Sequence, residues 1–266
     1  MGYRDRQRKR VEEGCKVLAI INQKGGVGKS TTAINLAAAL ADDGYKVLVI
    51  DFDPQGNTTS GFGVEKETLD NCIYDALMQD YPVSDLVTET VVPGAYVIPS
   101  TIQLAGAEIE LVSQMAREAV LKEIVDPLRE DFDYIFIDCP PSLGLLTINA
   151  LVATDGLFIP IQCEFYALEG VTKLLESMKM VKARLNRGLY VYGVLMTMYD
   201  GRTTLSKQVV EEVERYFGDT MFRTVIPRSV KVSEAPSHGE PVTLYEPNNK
   251  GALAYRDLAK EVEERG

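Results

Sequence analysis

The sequence is poor in the residue types that build metal centres and covalent cross-links. Its 266 residues include four cysteines and one histidine. The cysteines are scattered and contain no C-x-x-C pair, which argues against a zinc site or a disulfide framework. We expect reduced, mostly buried thiols at Cys15, Cys72, Cys139 and Cys163. The single histidine, His238, lies in APSHGEP and is interpreted as a loop residue, not a catalytic base.

Long apolar runs are also missing. No stretch approaches the roughly 18 residues of a membrane span, and the N-terminal segment MGYRDRQRKRVEEG lacks the apolar core of a signal peptide. We therefore expect a cytoplasmic protein that uses no membrane. Residues 1–14 are charged and show no pattern, so we interpret them as a mobile basic tail ahead of one domain that spans residues 15–266.

Positive charge is scarce overall. The chain has 28 Lys and Arg against 39 Asp and Glu, a net charge of −11. This balance argues against a surface coated with bases for nucleic acid. A local basic patch remains compatible with it, because salt screens each charge beyond about 8 Å. Hydrophobic residues make up 45% of the chain, which is enough for a substantial core.

The sequence does contain a regular alternation of short apolar runs and longer helical patterns. Strands are predicted at 16–22, 46–51, 96–100, 134–138, 156–162, 190–197 and 224–227, and helices at 29–42, 104–116, 167–185, 205–217 and 253–264. This order predicts βαβ units, and continuously apolar strands are typical of a sheet covered on both faces. We predict a single α/β domain with a mostly parallel twisted sheet and helices on both faces. Segments 54–70 and 228–250 are predicted to be long, functional loops.

A phosphate-binding motif follows the first predicted strand. The stretch NQKGGVGKST matches the P-loop pattern G-x-x-x-x-G-K-[ST], except that Gln23 stands where the pattern has glycine. A strand before the motif and a helix after it make the match specific, so the predicted fold is that of a P-loop NTPase. The predicted nucleotide-binding residues are Lys24, Gly25, Gly26, Val27, Gly28, Lys29, Ser30 and Thr31.

The residue types of this motif suit a nucleoside triphosphate with magnesium. The glycines let backbone N–H groups converge on phosphate oxygens, and a helix N-terminus adds about half a positive charge. We expect Lys29 to contact the β- and γ-phosphates of ATP and Thr31 the α-phosphate. We expect Ser30 to coordinate Mg²⁺ through its hydroxyl oxygen.

Three aspartates follow two of the predicted strands. Asp51 and Asp138 each end a strand at the same sheet edge, where ligands of open α/β sheets bind, and both could reach Mg²⁺ directly or through water. Asp138 could instead cap the next turn. Asp53, in DFDPQGN, is a candidate to orient the attacking water, and the alternative is a turn-forming Asp-Pro.

Four stretches together resemble one protein family. KGGVGKST, DFDPQGN, FIDCPPSLG and IPRSVKVSEAPSHGEPV are similar to the ParA/Soj family of chromosome- and plasmid-partitioning ATPases, in the wider MinD/ParA group of deviant Walker-A proteins. The resemblance runs from about Cys15 to Glu264. It implies a homodimer in the ATP state that hydrolyses ATP, binds double-stranded DNA nonspecifically and works with a ParB/Spo0J-type centromere-binding protein. It also implies association with the nucleoid.

The resemblance gives the second lysine of the loop a role. In such proteins this lysine reaches across the two-fold axis to the partner's ATP, and Lys24 falls at that position. From its residue type alone, Lys24 would be interpreted as a solvated loop lysine. About four negative charges on each ATP would otherwise oppose the meeting of two like subunits, so a lysine lent by each offsets them. Lys24, Lys29 and Asp53 form the implied catalytic set.

The resemblance also implies contacts outside the P-loop. Pro227 and Ser229 are implied adenine contacts, although many relatives have Asn where Ser229 stands. Arg202 and Lys231 are implied DNA contacts. No helix-turn-helix precedes the ATPase core in the sequence, so we expect DNA binding that ignores base sequence and weakens with salt.

Three other functions fit the same fold class. A MinD-like ATPase that cycles on membranes would need a basic amphipathic C-terminal helix, whereas this chain ends DLAKEVEERG, with four acids and two bases. An iron–sulfur ATPase would need a second cysteine to join Cys139, and none is suitably placed. A metabolic ligase of the dethiobiotin-synthetase type stays possible on fold alone.

Overall fold

The computed structural model describes residues 9–11 and 14–265. Within them the chain forms an eight-stranded sheet and eleven α-helices. The strands are β1 (Lys16–Ile20), β2 (Val47–Asp51), β3 (Thr88–Glu89), β4 (Ala95–Ile98), β5 (Tyr134–Asp138), β6 (Gly156–Gln162), β7 (Tyr190–Tyr199) and β8 (Met221–Pro227). The helices are α1 (Lys29–Asp42), α2 (Asn57–Gly61), α3 (Ile73–Met78), α4 (Leu104–Glu110), α5 (Val120–Val125), α6 (Leu145–Ala153), α7 (Glu169–Arg184), α8 (Thr204–Phe217), α9 (Val230–Glu234), α10 (Val242–Tyr245) and α11 (Lys250–Glu264).

The sheet runs in the order β3-β4-β2-β5-β1-β6-β7-β8. All neighbouring strands are parallel except β3, which pairs antiparallel with β4. The predicted mostly parallel sheet is therefore confirmed. Strand β1 lies inside the sheet between β5 and β6, so the loop that follows it opens at the sheet's carboxyl edge.

Alternate side chains of each strand enter two separate cores. Along β1, Val17 and Ala19 join one cluster, while Leu18 and Ile20 join the other. Helices α3 to α8 cover the first face, and α1 and α9 to α11 cover the second. This arrangement confirms the predicted helices on both faces, and it explains why the strands are continuously apolar.

Strand β8 forms one edge of the sheet, and a carboxylate covers part of that edge. Glu261 of α11 is buried and accepts hydrogen bonds from the backbone N–H groups of Arg223 (2.8 Å) and Thr224 (3.0 Å). An unpaired edge strand otherwise offers its backbone to other chains. Nearby Glu264 pairs with the Arg223 side chain at the surface.

Several sequence-based boundaries were wrong. The predicted loop 54–70 contains α2, and the predicted loop 228–250 contains α9 and α10. The helix predicted over 104–116 ends at Glu110 and continues only as a 3-10 turn, Leu111–Ser113. Helices α3, α5 and α6 and strand β3 were not predicted. Helix α6, LLTINALVA, is apolar on nearly every side because the core surrounds it, so it shows no amphipathic period.

The two ends of the chain meet on the second face. Helix α11 buries Tyr255, Leu258 and Val262 against the core, so its apolar side is occupied. Lys9, the one tail lysine that the structure describes, pairs with Glu263 of this helix at 2.6 Å. Residues 1–8 and 12–13 of the predicted mobile tail lie outside the described residues. Among the helices of the described ranges, none is both long and apolar enough to cross a bilayer.

Candidate functional site

The glycine-rich loop between β1 and α1 is shaped to present backbone N–H groups. Gly26 and Gly28 adopt positive φ angles of 75° and 91°, a left-handed conformation that glycine takes without steric cost. Gly28 is the N-cap of α1, and no described side chain caps the first turn of that helix. The first-turn N–H groups are therefore available to an anion.

The two lysines of the loop occupy opposite environments. The Lys29 side chain is buried, and its ammonium donates to the backbone carbonyl of Lys24 at 3.2 Å. Burial lowers the pKa of Lys29, and the Asp138 carboxylate opposes that shift. The Lys24 side chain is 44% exposed and forms an ion pair with Glu164. One lysine thus lies in the loop's cavity and the other lies at its rim.

Buried polar side chains outside the motif hold the loop in place. The Asn22 amide donates to the carbonyl of Pro160 (2.7 Å) and accepts from the backbone N–H of Lys24 (3.0 Å). The Thr197 hydroxyl donates to the carbonyl of Val27 at 2.8 Å, so Val27 contributes backbone, while its side chain is buried. Sequence reasoning missed Asn22 and Thr197 as supports of the loop. A polar residue at the end of an apolar strand was the available signal.

Asp51 and Asp138 meet at the ends of β2 and β5, as predicted. They are register partners on the two strands, and both side chains are fully buried. Asp51 accepts from the backbone N–H (2.7 Å) and the hydroxyl (2.6 Å) of Thr59. Asp138 accepts from the Thr58 hydroxyl (2.7 Å) through Oδ2, whereas its Oδ1 is buried and has no hydrogen-bond partner among the described residues.

Burial disfavours the ionised form of both carboxyl groups. It raises the pKa of Asp51 to about 7, and the neighbouring Asp138 charge adds to the shift. Burial raises the pKa of Asp138 to about 6, against the lowering effects of the Ser30 and Thr58 hydroxyls and the Lys29 ammonium. A divalent cation would be held by Asp138, whose Oδ1 has no partner, and its positive charge would lower the pKa of both carboxyl groups.

Asp53 forms the turn that was one of its two predicted roles, and its side chain also lines the cavity. Its carboxylate accepts from the backbone N–H of Gln55 (3.0 Å), and its carbonyl accepts from Gly56 (2.9 Å), so it does form a turn. The side chain is nevertheless buried and lines the cavity beside Lys29 and Ser30. A turn that aims a carboxylate into the cavity suits a group that positions a small ligand.

Two cavities join along the first turn of α1. The larger, about 560 Å³, is lined by the glycine loop, Lys29, Ser30, Asp53 and Asn57. The smaller, about 340 Å³, is lined by Pro227 and Ser229, the predicted adenine contacts. Both cavities share Gly28, Thr31 and Met198. Together they form one elongated cleft, with a polar part at the loop and a more apolar part between β7 and β8.

The Ser229 hydroxyl faces a structural partner. It donates to the Asn249 amide oxygen at 2.9 Å, and Asn249 is the N-cap of α11. The side chain of Ser229 is therefore engaged in holding the helix start, and its backbone is what remains for a ligand.

The predicted DNA-contacting residues both have acidic neighbours. Arg202 is 88% exposed and forms two hydrogen bonds with the Asp200 carboxylate, at 2.9 and 2.7 Å. These bonds hold the pKa of Asp200 well below its usual range. Lys231 pairs with Glu234 at 2.9 Å. Arg202 follows the end of β7, and Lys231 lies on α9, whose residues line the smaller cavity.

The remaining candidates have ordinary structural roles. His238 ends a 3-10 turn, Ala235–His238, and not an irregular loop as predicted, and its ring stacks on that of Tyr245 with centroids 4.7 Å apart. The four cysteines are free thiols, as predicted, and Cys72 and Cys139 are buried. Within residues 9–11 and 14–265, no group of three His, Cys, Asp or Glu side chains is placed to hold a metal ion by itself.

Comparison with known proteins identifies relatives over nearly the whole chain. A family model described as an AAA domain (AAA_31) matches residues 15–191. The sporulation initiation inhibitor protein Soj of Bacillus subtilis is 56% identical, over 94% of this chain and 99% of that protein. The chromosome partitioning protein ParA of Myxococcus xanthus is 48% identical, over 94% and 88%. The crystal structure of cobyrinic acid a,c-diamide synthase from Mycobacterium smegmatis with bound ADP and magnesium is 37% identical over 92% and 93%, with a TM-score of 0.82.

Proposed function

This chain belongs to the ParA/Soj family of chromosome-partitioning ATPases, and on that premise we propose that it is a DNA-binding switch that dimerises on ATP. The observation that carries the proposal is that the two lysines of one loop lie in different environments. Lys29 is buried inside the cleft, and Lys24 is exposed at its rim. A single subunit needs only the first to bind a triphosphate, whereas the second is placed to meet another molecule.

Nucleotide binding follows from the cleft. The glycine loop and the uncapped start of α1 provide N–H donors for phosphate oxygens, and Lys29 adds a positive charge. Thr31 lies where the two cavities join, which suits the α-phosphate. Pro227 and the backbone of Ser229 line the part proposed for adenine. Bound ATP supplies the phosphoanhydride bond that is hydrolysed to ADP and phosphate.

Magnesium fits the donor set at the base of the cleft. Asp138 has a buried oxygen without a partner, and the Ser30 hydroxyl lies close enough to influence its pKa. Hydroxyl and carboxylate oxygens are ligands that Mg²⁺ prefers, and the ion usually completes its shell with water and phosphate oxygens. Both oxygens of Asp51 already accept hydrogen bonds, so we assign Asp51 a contact through water.

Hydrolysis requires a positioned water, and Asp53 is the carboxylate we assign to it. Its side chain lines the cavity at the loop that follows β2, and the turn at Gln55 fixes its direction. A carboxylate so placed accepts a proton or orients the water's lone pair. Lys24 completes the charge stabilisation from the partner subunit, as an arginine finger does in other P-loop enzymes.

The rim around Lys24 has the composition of a surface that another subunit covers. Phe165 and Tyr166 directly follow Glu164, the ion-pair partner of Lys24, and their side chains are largely exposed. Aromatic residues are enriched at the buried centres of protein interfaces. We assign this rim to the homodimer, which a bound triphosphate would stabilise by attracting the partner's Lys24.

DNA binding is assigned to Arg202 and Lys231. Lys231 lies on α9, which lines the smaller cavity, and Arg202 follows β7, whose residue Thr197 lines the same cavity, so a nucleotide-dependent rearrangement there would reach both elements. Neither belongs to an element built to read bases, and bases on a surface contact phosphate groups whatever the sequence. A ParB-type protein is the proposed partner, and the cytoplasm, on the nucleoid, the proposed location.

Two alternatives are less well supported. A MinD-like membrane cycle needs a free amphipathic helix at the C-terminus, but the apolar side of α11 is packed on the core. A metabolic synthase has a solved relative, at 37% identity. ATP turnover that a small metabolite stimulates, and that DNA with a partner peptide does not, would favour the synthase.

The decisive experiment is light scattering during size exclusion of Asp53→Ala. We expect a dimer with ATP and magnesium, a monomer with ADP, and co-elution with random-sequence duplex DNA only in the ATP state. Lys24→Ala in the Asp53→Ala background is the control and should remain monomeric. A protein that stays monomeric when saturated with ATP contradicts the proposal.

A further inference from the structure

The Lys24–Glu164 ion pair lies within one subunit, and the proposed function does not explain why it forms. Lys24 is on the glycine loop, and Glu164 is in the turn that follows β6. The two side chains are 44% and 30% exposed, and the Glu164 Oε1 that faces the ammonium is itself buried. A third charge that approaches the rim therefore reaches Lys24 more readily than it reaches Glu164. In the isolated subunit, the Lys24 ammonium is therefore bound to a carboxylate of its own subunit, although the proposed dimer requires the same ammonium to contact the partner's ATP.

Backbone hydrogen bonds hold both ends of this pair in place. The Lys24 N–H donates to the Asn22 side chain, and the Lys24 carbonyl accepts from the Lys29 ammonium. On the other side, the Glu164 N–H donates to the carbonyl of Gln162 (2.9 Å), and the Glu164 carbonyl accepts from the N–H of Ala167 (3.1 Å). Separating the pair therefore requires only side-chain rotation.

We propose that Glu164 is a positioning residue that holds Lys24 in the isolated subunit and competes with the partner's triphosphate for it. The inference rests on the proposed role of Lys24 in the dimer. A free Lys24 would bind any nearby anion, whereas a paired Lys24 exchanges its carboxylate only for a more strongly charged group. ATP, with about four negative charges, meets that condition better than ADP. Glu164 thus increases the difference in dimer affinity between the ATP-bound and the ADP-bound protein.

The strength of the pair suits a switch that must open. Ion pairs this exposed stabilise by an amount that corresponds to about a threefold change in an equilibrium constant. A symmetric dimer opens two such pairs, one in each subunit, so we expect a cost of about tenfold in the dimer dissociation constant. That cost can tilt the balance between monomer and dimer without preventing assembly.

The test removes the carboxylate charge and keeps the side-chain shape. Glu164→Gln is compared with Glu212→Gln, which removes one negative charge from the exposed surface of α8. Sedimentation velocity with a nonhydrolysable ATP analogue and magnesium gives the dimer dissociation constant. We expect Glu164→Gln to lower it about tenfold and Glu212→Gln to leave it unchanged. An unchanged or raised constant in Glu164→Gln overturns the proposal, since a raised one assigns Glu164 to the assembled interface.

A second measurement examines the ion pair without any dimer. Nucleotide-free protein is treated with an acetylating reagent, and mass spectrometry follows the modification of Lys24, with exposed Lys207 as the internal reference. We expect Lys24 to react several-fold faster in Glu164→Gln while Lys207 is unchanged, and equal rates for Lys24 overturn the proposal. Faster labelling in a protein that never dimerises with ATP would instead overturn the proposed role of Lys24 and leave the ion pair established.

Discussion

Asp51 and Asp138 lie side by side on neighbouring strands, and neither carboxyl group reaches solvent. Two carboxylates this close cannot both ionise cheaply in a buried site. The pair therefore destabilises the metal-free protein at neutral pH, and the Mg²⁺ that we propose at this position would offset that destabilisation.

The pH dependence of stability follows from this pair. An aspartate in an unfolded chain has a pKa of about 3.9, whereas the folded values rise to about 7 for Asp51 and about 6 for Asp138. Between these limits the folded state holds protons that the unfolded state has lost, so the free energy of unfolding falls as pH rises from about 4 to about 7. We expect the Tm in EDTA to be several degrees lower at pH 8 than at pH 5.5 (about 2–4 °C per kcal/mol). Asp51→Asn should remove most of that difference, and an equal slope in this variant would contradict the assignment.

The two loop lysines should separate binding from assembly. Lys29→Ala removes the buried charge of the cleft, so we expect nucleotide affinity to fall about 10- to 100-fold or more, measured by titration with a fluorescent ATP analogue. Lys24→Ala, whose side chain lies at the rim, should keep nucleotide affinity within about twofold in the monomer and lose the ATP dimer. If both variants lost nucleotide affinity equally, the assignment of Lys29 to nucleotide binding and of Lys24 to dimer assembly would be wrong.

Asp53 permits a test that distinguishes chemistry from loop structure. Asp53→Asn keeps an oxygen that can accept from the Gln55 N–H, whereas Asp53→Ala removes it. If the carboxylate positions water, both variants should lose about 10²–10⁴-fold in stimulated ATP hydrolysis while still binding ATP. Phosphate release measures this directly. Near-normal hydrolysis by Asp53→Asn would show that Asp53 forms the turn but does not position water.

Asp200 should restrain DNA binding by neutralising Arg202. Arg202→Ala should weaken binding of the ATP dimer to a random-sequence duplex and reduce the salt dependence by about two units of slope, one for each subunit's Arg202. Asp200→Asn should strengthen binding by about two- to fivefold, because it frees the guanidinium group. Fluorescence anisotropy over a salt series measures both effects. Weaker binding by Asp200→Asn would indicate that the pair holds Arg202 in its binding position.

Glu261 should contribute to stability well beyond the other acids of α11. It is buried and accepts two backbone N–H groups of the edge strand β8. We expect Glu261→Ala to lower the free energy of unfolding by about 2–3 kcal/mol, because both donors lose their partner. Glu264→Ala, which breaks only an exposed ion pair with Arg223, should cost under about 1 kcal/mol. Urea unfolding compares the two, and similar values would be evidence against an edge-strand role for Glu261.

The sequence predicted the parts of the molecule that local pattern determines. Continuous apolar runs located seven strands, and the glycine loop with Lys29 located the cleft, because strand burial and phosphate binding impose a residue type at each position. Asp51 and Asp138 were predicted to share an edge, since the carboxyl ends of parallel strands coincide.

Contacts between distant segments were beyond the sequence. Lys24 and Glu164 are 140 positions apart, and only the pairing of β1 with β6 brings them together. Helix α6 was missed because the core surrounds it, so its sequence is apolar on nearly every side and lacks the amphipathic period of a surface helix. The short helices of 54–70 and 228–250 form because neighbouring elements pack on them, not because their residues favour helices.

Thr197 connects the glycine loop directly to β7. Its hydroxyl bonds to Val27 in the glycine loop, and Arg202 stands five residues further along the same chain segment, just past the end of β7. Any displacement of the glycine loop would therefore act directly on β7, two residues before that strand ends and leads into the turn that carries Arg202.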